Sequence, residues 1–270
     1  MIRSIFKSTA VLGLTAVGMG VAMPTVANAA EGGTYKTDAG VLFTPSTDTT
    51  NPTNPDDVDP SNPSNPTTPV GPDGNEDGGK GTQGPLSIDY VSSFDFGKQK
   101  ISSANQTYYA KAQSYKDGSP ADTALFAQIT DNRGTGAGWT LTVAQDAQLN
   151  NGTSDLKGAQ ISIADLNATT QKGSEAGAAL AGQNIALVPG EGGQTVMSAA
   201  KDAGQGTWVA RMGDTTKLTT EKGTAVDGSD RTVDKSVSLS VPGTSNKIAD
   251  SKYTAKLTWT LTDTPANSAN

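Results

Sequence analysis

Tyr253-Thr254-Ala255-Lys256-Leu257-Thr258-Trp259-Thr260-Leu261-Thr262 is the stretch that decides the fold class. Odd positions are aromatic or aliphatic, and even positions are threonine or lysine. A period of two sends the first set to one side of an extended chain and the second set to the other. A helix would scatter both sets around its circumference. One apolar and one hydroxylated face mark an antiparallel sheet with one wet side.

The same period recurs upstream. Leu86, Ile88 and Tyr90 alternate with Ser87 and Asp89, and Trp139, Leu141 and Val143 alternate with Thr140 and Thr142. Ile161 and Ile163 flank Ser162, while Val233, Val237, Leu239 and Val241 oppose Asp234, Ser236, Ser238 and Ser240. Turn chemistry separates these runs at Lys116-Asp117-Gly118, Asp131-Asn132-Arg133-Gly134, Asn150-Asn151-Gly152 and Asp227-Gly228. No long helical pattern occurs; the stretch 173–182 has room for one helical turn. Residues 85–270 are therefore expected to form one all-β, antiparallel, sandwich-like domain. Its length suffices to bury a core without covalent staples.

Composition narrows the chemistry. The 270 residues include no cysteine and no histidine, which removes disulfides, thiol nucleophiles, Cys/His zinc sites and Ser-His-Asp arrangements. Beyond the first 30 residues there are 18 basic against 27 acidic side chains, so nucleic acid and anionic lipid are disfavoured partners. No cofactor is expected.

The opening resembles an export leader. Arg3 and Lys7 precede the uncharged run Thr9 to Met23, Pro24 breaks it, and Ala27-Asn28-Ala29 offers small residues to a signal peptidase. The run is short for a span of about 20 residues, so cleavage after Ala29 is expected, leaving no membrane helix in the mature chain. No Leu-Pro-x-Thr-Gly sorting signal occurs, so any attachment to the cell is expected to be non-covalent.

Residues 30–43 read as a short strand, with Tyr35, Thr37, Ala39, Val41 and Phe43 on one side. Residues 44–84 read as an acidic Pro/Asn/Gly-rich linker. Asn-Pro recurs there at 51–52, 54–55, 62–63 and 65–66, and proline removes donors that sheets and helices need. This tract is expected to be disordered, extended and solvated. Within it, Asp73-x-Asn75-x-Asp77-Gly78 opens like a calcium loop, but the twelfth position is Gly84 where such a loop wants a bidentate glutamate. No metal site is therefore assigned.

Two of the three tryptophans share one local setting, Trp139-Thr140-Leu141 and Trp259-Thr260-Leu261. The second lies within Tyr253-x-x-x-Leu257-Thr258-Trp259-x-Leu261-x-x-x-Pro265. On these residues the chain resembles the WxL-domain surface proteins of Gram-positive bacteria, in their small form. Gly84-Pro85-Leu86-Ser87-Ile88-Asp89-Tyr90-Val91, Phe94-Asp95-Phe96-Gly97 and Gln128-Ile129-Thr130-Asp131-Asn132-Arg133-Gly134 carry the resemblance further, over roughly 31–270. The resemblance implies non-covalent attachment to the cell wall, with peptidoglycan as ligand. It also implies a membrane-anchored WxL-interacting partner and a larger WxL protein in one surface complex. The motif residues Trp139, Leu141, Tyr253, Leu257, Thr258, Trp259, Leu261 and Pro265 are the candidate binding set. Their strand face favours core packing for both tryptophans. The alternative is an indole platform for a glycan or a partner. A mixed arrangement has the tryptophans fix a sheet whose wet face, Thr254, Lys256, Thr258, Thr260 and Thr262, meets the ligand.

Three functions compete. A non-catalytic wall-bound scaffold fits best. A secreted adhesin or lectin for a host or foreign glycan is the alternative. A wall hydrolase needs two carboxylates about 5–10 Å apart in a cleft. The acids at hand, Asp89, Asp95, Asp131 and Asp146, sit in turns or on polar strand sides, so no catalytic residue is assigned.

Overall fold

The computed structural model describes residues 34–58, 67–75, 81–171, 174, 177–222 and 228–264. The leader with its cleavage point at Ala29, and Pro265, lie outside the described residues. In chain order the strands are β1 (Pro69–Val70), β2 (Leu86–Val91), β3 (Gln106–Lys111), β4 (Ser114–Tyr115), β5 (Leu125–Asp131), β6 (Trp139–Gln145), β7 (Gln160–Ile163) and β8 (Leu166–Thr170). They continue with β9 (Leu180–Ala181), β10 (Ile185–Ala186), β11 (Gln194–Ala199), β12 (Gly206–Met212), β13 (Leu218–Glu221), β14 (Arg231–Val241) and β15 (Leu257–Thr262). Two short 3₁₀ turns, Lys116–Gly118 and Thr215–Lys217, are the helical elements among the described residues.

All the ladders are antiparallel. One sheet runs β15-β6-β11-β9, a second runs β2-β5-β12-β8, and a third gathers β10, β7, β3 and β13 around the long β14. A single apolar core draws on all three. It takes Trp139, Leu141, Val143, Met197 and Ala199 from the first and Leu125, Ala127, Ile129, Trp208, Ala210 and Met212 from the second. Ile161, Ile163, Val237, Leu239 and Val241 come from the third. The all-β antiparallel reading therefore holds.

The reading of 44–84 as a free linker does not hold for its described parts. Pro69–Val70 pairs with Ser114–Tyr115 as a two-stranded ribbon. Residues 51–58 form a strap over the outer face of the β2-β5-β12-β8 sheet. The Thr53 amide and hydroxyl both donate to Gln128 Oε1, at 2.8 and 3.0 Å, and Gln128 Nε2 donates to Asn51 O at 2.9 Å. Val58 joins Tyr90, Tyr115, Phe126 and Val209 in a second small apolar cluster. Asp56 meets Arg211 of β12 at 2.9 Å. Proline lacks a donor but keeps its carbonyl: Pro52 O accepts from both the amide and the hydroxyl of Thr67. The sheet beneath has side-chain acceptors and donors to spare, so the tract needs no ladder of its own.

The strap explains why β5 is buried at every position. Leu125, Ala127 and Ile129 face the core, and Phe126 and Gln128 lie under the strap. The simple expectation of one wet side thus fails for this sheet. Asp89 lies in the same layer, accepting from Thr130 Oγ1 at 2.6 Å, Ser87 Oγ at 2.8 Å and Gln128 Nε2 at 3.0 Å. Lower down, Asp73 is used in a local turn, accepting from the amide and the side-chain nitrogen of Asn75.

Two smaller expectations are also corrected. Within 173–182, residues 177–182 form no helical turn: Leu180–Ala181 is strand, paired with Ser198 and Met197 of β11. Residues 34–43 have no strand pairing and are exposed throughout. Their alternation supplies a strand's side chains, but a strand also needs a hydrogen-bonding neighbour. By contact the chain divides into two units, Met1–Leu42 and Phe43–Asn270, and all the sheets belong to the second.

Candidate binding face around the paired tryptophan strands

The two Trp-Thr-Leu segments are neighbours in space. β15 runs antiparallel to β6 with Leu261 opposite Leu141, Trp259 opposite Val143 and Thr260 opposite Thr142. All six pairs stay in step, without a bulge. Trp139, Leu141, Val143, Leu257, Trp259 and Leu261 therefore share one face, directed at the core. On the other side of β6, Met197 and Ala199 of β11 lie opposite Leu141 and Trp139.

The two tryptophans differ in environment. Trp139 is completely buried, and its Nε1 donates to Gly204 O at 2.8 Å. Gly204 has a positive φ of 74°, and a Cβ there would lie 2.6 Å from the same indole nitrogen. Only glycine leaves room for the ring and adopts that backbone at no cost. Trp259, on the edge strand, is half-buried and packs against the core from outside, as do Tyr253, Leu257 and Leu261. Tyr253 Oη accepts from the Ile248 amide at 3.2 Å, and Thr254 makes a reciprocal backbone pair with Asn150. Trp208 of β12 is a further core residue, its Nε1 donating to Gln205 O.

The entry to Trp139 is clamped electrostatically. Arg133 makes a two-point pair with Asp131, through Nε at 2.9 Å and Nη2 at 2.8 Å, and Nη2 also donates to Gly138 O. Hydrogen bonding to the Asp131 carboxylate raises the Arg133 pKa above its usual value. Asp131 and Arg133 of the Gln128-to-Gly134 motif thus fix the turn that delivers Trp139 to the core. Gln128 and Thr130 of the same motif hold the strap and Asp89.

The side of the sheet away from the core carries many hydroxyls, with Ala144 of β6 and the exposed Leu180 of β9 on the same side. Thr258, Thr260 and Thr262 are exposed on β15. Thr140 and Thr142 lie beside them on β6, and Thr195 and Ser198 of β11 lie opposite those two. Thr258 Oγ1 donates to Asp146 Oδ1 at 2.6 Å. Thr140 Oγ1 donates to Thr264 O at 2.8 Å, anchoring the chain as it leaves β15. Hydroxyls both donate and accept, so this face offers hydrogen bonds of either sense with little charge. Alternation alone points to the β15 threonines but not to Thr195 and Ser198, whose place follows from long-range register.

The acids weighed for hydrolysis are occupied elsewhere. Asp89 is buried and accepts three side-chain hydrogen bonds. Asp131 holds Arg133, Asp95 Oδ1 caps the Gly97 amide, and Asp146 takes the Thr258 hydroxyl. Among the described residues no cluster of three or more Asp, Glu, His or Cys is placed to hold a metal ion.

The architecture is that of an all-β domain with two Trp-Thr-Leu strands side by side. The family model for the WxL domain, a surface, cell wall-binding domain, matches residues 30–265, and the chain belongs to that family. No curated protein and no solved structure matches the chain. Association with the cell wall at the surface follows from the family's description, and no helix among the described residues is long and apolar enough to cross a membrane.

Proposed function

We propose that the protein is a non-catalytic surface component of a Gram-positive bacterium, exported and cleaved after Ala29. It attaches without a covalent bond to peptidoglycan, to a membrane-anchored WxL-interacting protein, or to both. There it serves, with a large WxL protein, in an adhesion or scaffold complex. The observation that carries this reading is the hydroxyl face over the paired β6 and β15 strands. A face of threonines with little charge suits sugar hydroxyls and amides. The carboxylates that a hydrolase would need are engaged in turns and buried bonds, which supports binding over cleavage.

Residues 30–270 are expected to sediment with purified walls and to be released by denaturant without wall digestion. The turbidity of the wall suspension should stay constant. Protein that remains in the supernatant, or needs a hydrolase for release, contradicts non-covalent attachment. A fall in turbidity contradicts the non-catalytic assignment. Strong selective binding on a glycan array, without wall binding, would favour the lectin alternative.

A further inference from the structure

We infer that the outer edge of β15 accepts an added strand, and that the strand is the 35–43 segment of a second copy of this chain. The inference stands independently of wall attachment. Its first support is the bareness of the edge. Among the described residues β15 pairs with β6 alone. A sheet edge presents unpaired N–H and C=O groups, and proteins usually guard it with charge, proline, a bulge or a covering loop. Leu257–Thr262 carries no charge or proline, and its register is unbroken. The edges of β2 and β3, by contrast, are met by neighbouring loops. The Thr82 amide donates to Ile88 O and the Ile88 amide donates to Thr82 Oγ1 along β2, both at 2.8 Å. On β3, the Lys111 amide donates to Asp95 O at 2.7 Å.

The apolar side of β15 is unfinished as well. Leu257, Trp259 and Leu261 are half-buried, whereas their cross-strand neighbours Gln145, Val143 and Leu141 are buried. One more strand beyond β15 would complete their cover.

The segment 35–43 has the matching pattern and pairs with no strand among the described residues. Tyr35, Val41, Leu42 and Phe43 are 89%, 78%, 88% and 85% exposed. Such a concentration of exposed apolar surface marks an interaction segment. Tyr35, Thr37, Ala39, Val41 and Phe43 alternate with Lys36, Asp38, Gly40 and Leu42, and no proline interrupts them. Added to β15, the first set extends the Trp259 face and the second extends the threonine face. Charge selects the direction. Antiparallel pairing carries Lys36 toward Asp263 and away from Lys256, while parallel pairing brings the two lysines to the same end. Each copy offers one donor segment and one acceptor edge, so pairing yields a reciprocal dimer or an open chain of copies.

The test uses residues 30–270. Light scattering across a concentration series should show self-association. Val41→Pro should weaken it at least about tenfold, because proline removes a ladder donor in mid-segment. The substitution lies in exposed, unpaired backbone, so the fold should be unchanged by circular dichroism. A labelled synthetic peptide of residues 34–43 should bind the Val41→Pro chain, and a scrambled peptide should not. Hydrogen exchange should then slow at Leu257–Thr262. A monomer at every concentration, no peptide binding, or protection at another edge overturns the inference. Wall sedimentation of the unmodified chain reads attachment separately: its absence with intact peptide binding counts against the wall proposal alone.

Discussion

Trp139→Ala is expected to cost about 3–5 kcal/mol of folding stability, the range for deleting a large buried aromatic. Trp139 is fully enclosed among residues of the main core. Truncation empties a volume that its surroundings cannot refill. It also leaves the Gly204 carbonyl without the indole N–H that it accepts at 2.8 Å. Gly204 is held at positive φ against the ring, so the loop cannot simply collapse into the space. A domain is typically stable by about 5–15 kcal/mol, so the loss takes a large share of the total. Trp139→Phe separates the two contributions, keeping most of the packing but not the hydrogen bond, and should cost less. Urea unfolding followed by near-ultraviolet circular dichroism measures both. A loss below about 1 kcal/mol for Trp139→Ala would show that the ring is not a core element, since surface changes stay within about 0.5 kcal/mol. Trp259→Ala should cost less, because Trp259 is only partly buried, on an edge strand.

The second large effect is on pH dependence. Burial pushes the carboxyls of Asp89 and Asp234 up to about 6, against an ordinary value of 3.8. Asp234 is wholly buried, and its oxygens accept from the Leu125 and Ser236 amides at 2.9 Å. Those bonds, like the three to Asp89, favour the charged form but do not offset desolvation. The sign follows from proton uptake. Between about pH 7 and pH 4 the folded chain binds protons at these two groups that the unfolded chain does not, so stability rises as pH falls through 6. A rise of about two units corresponds to roughly 3 kcal/mol per group as an upper figure. The melting temperature should therefore be higher at pH 5 than at pH 7.5, the reverse of ordinary acid denaturation. Asp89→Asn resembles the protonated form and should flatten part of the curve. Below pH 4 the trend should turn, because Asp73 and Asp214, held low by hydrogen bonds from Asn75 and Thr216, then lose their charge. A melting temperature that falls from pH 7.5 to pH 5 would contradict the assignment of buried, ionised aspartates.

Much of the fold was legible in local pattern. The alternation across 253–262 identified a strand, and the structure places Leu257–Thr262 there with its threonines outward. The likeness of the two Trp-Thr-Leu segments was also visible. Their pairing was not, because register between segments so far apart in the chain depends on the whole core rather than on either segment. The strap was misread for a physical reason. Proline density reads as solvation, yet a donor-poor segment can bind a sheet face through its carbonyls and hydroxyls, as Asn51 and Thr53 do. Gln128 and Asp89 gave no local signal of that role, since a polar residue on an alternating strand reads as solvent-facing until its cover is known. The difference between the enclosed Trp139 and the half-exposed Trp259 follows from strand order: β6 lies inside its sheet and β15 at the margin.

In the proposed function the β6–β15 sheet attaches the protein to the wall through its hydroxyl face, with Trp139 serving only to build that sheet. Equilibrium binding of Thr260→Asp and Thr262→Asp to purified walls, at temperatures where circular dichroism matches the unmodified protein, tests it most directly. Both variants should bind at least about tenfold more weakly, a loss of about 1.4 kcal/mol. Undiminished binding by both folded variants would place the attachment surface elsewhere on the molecule.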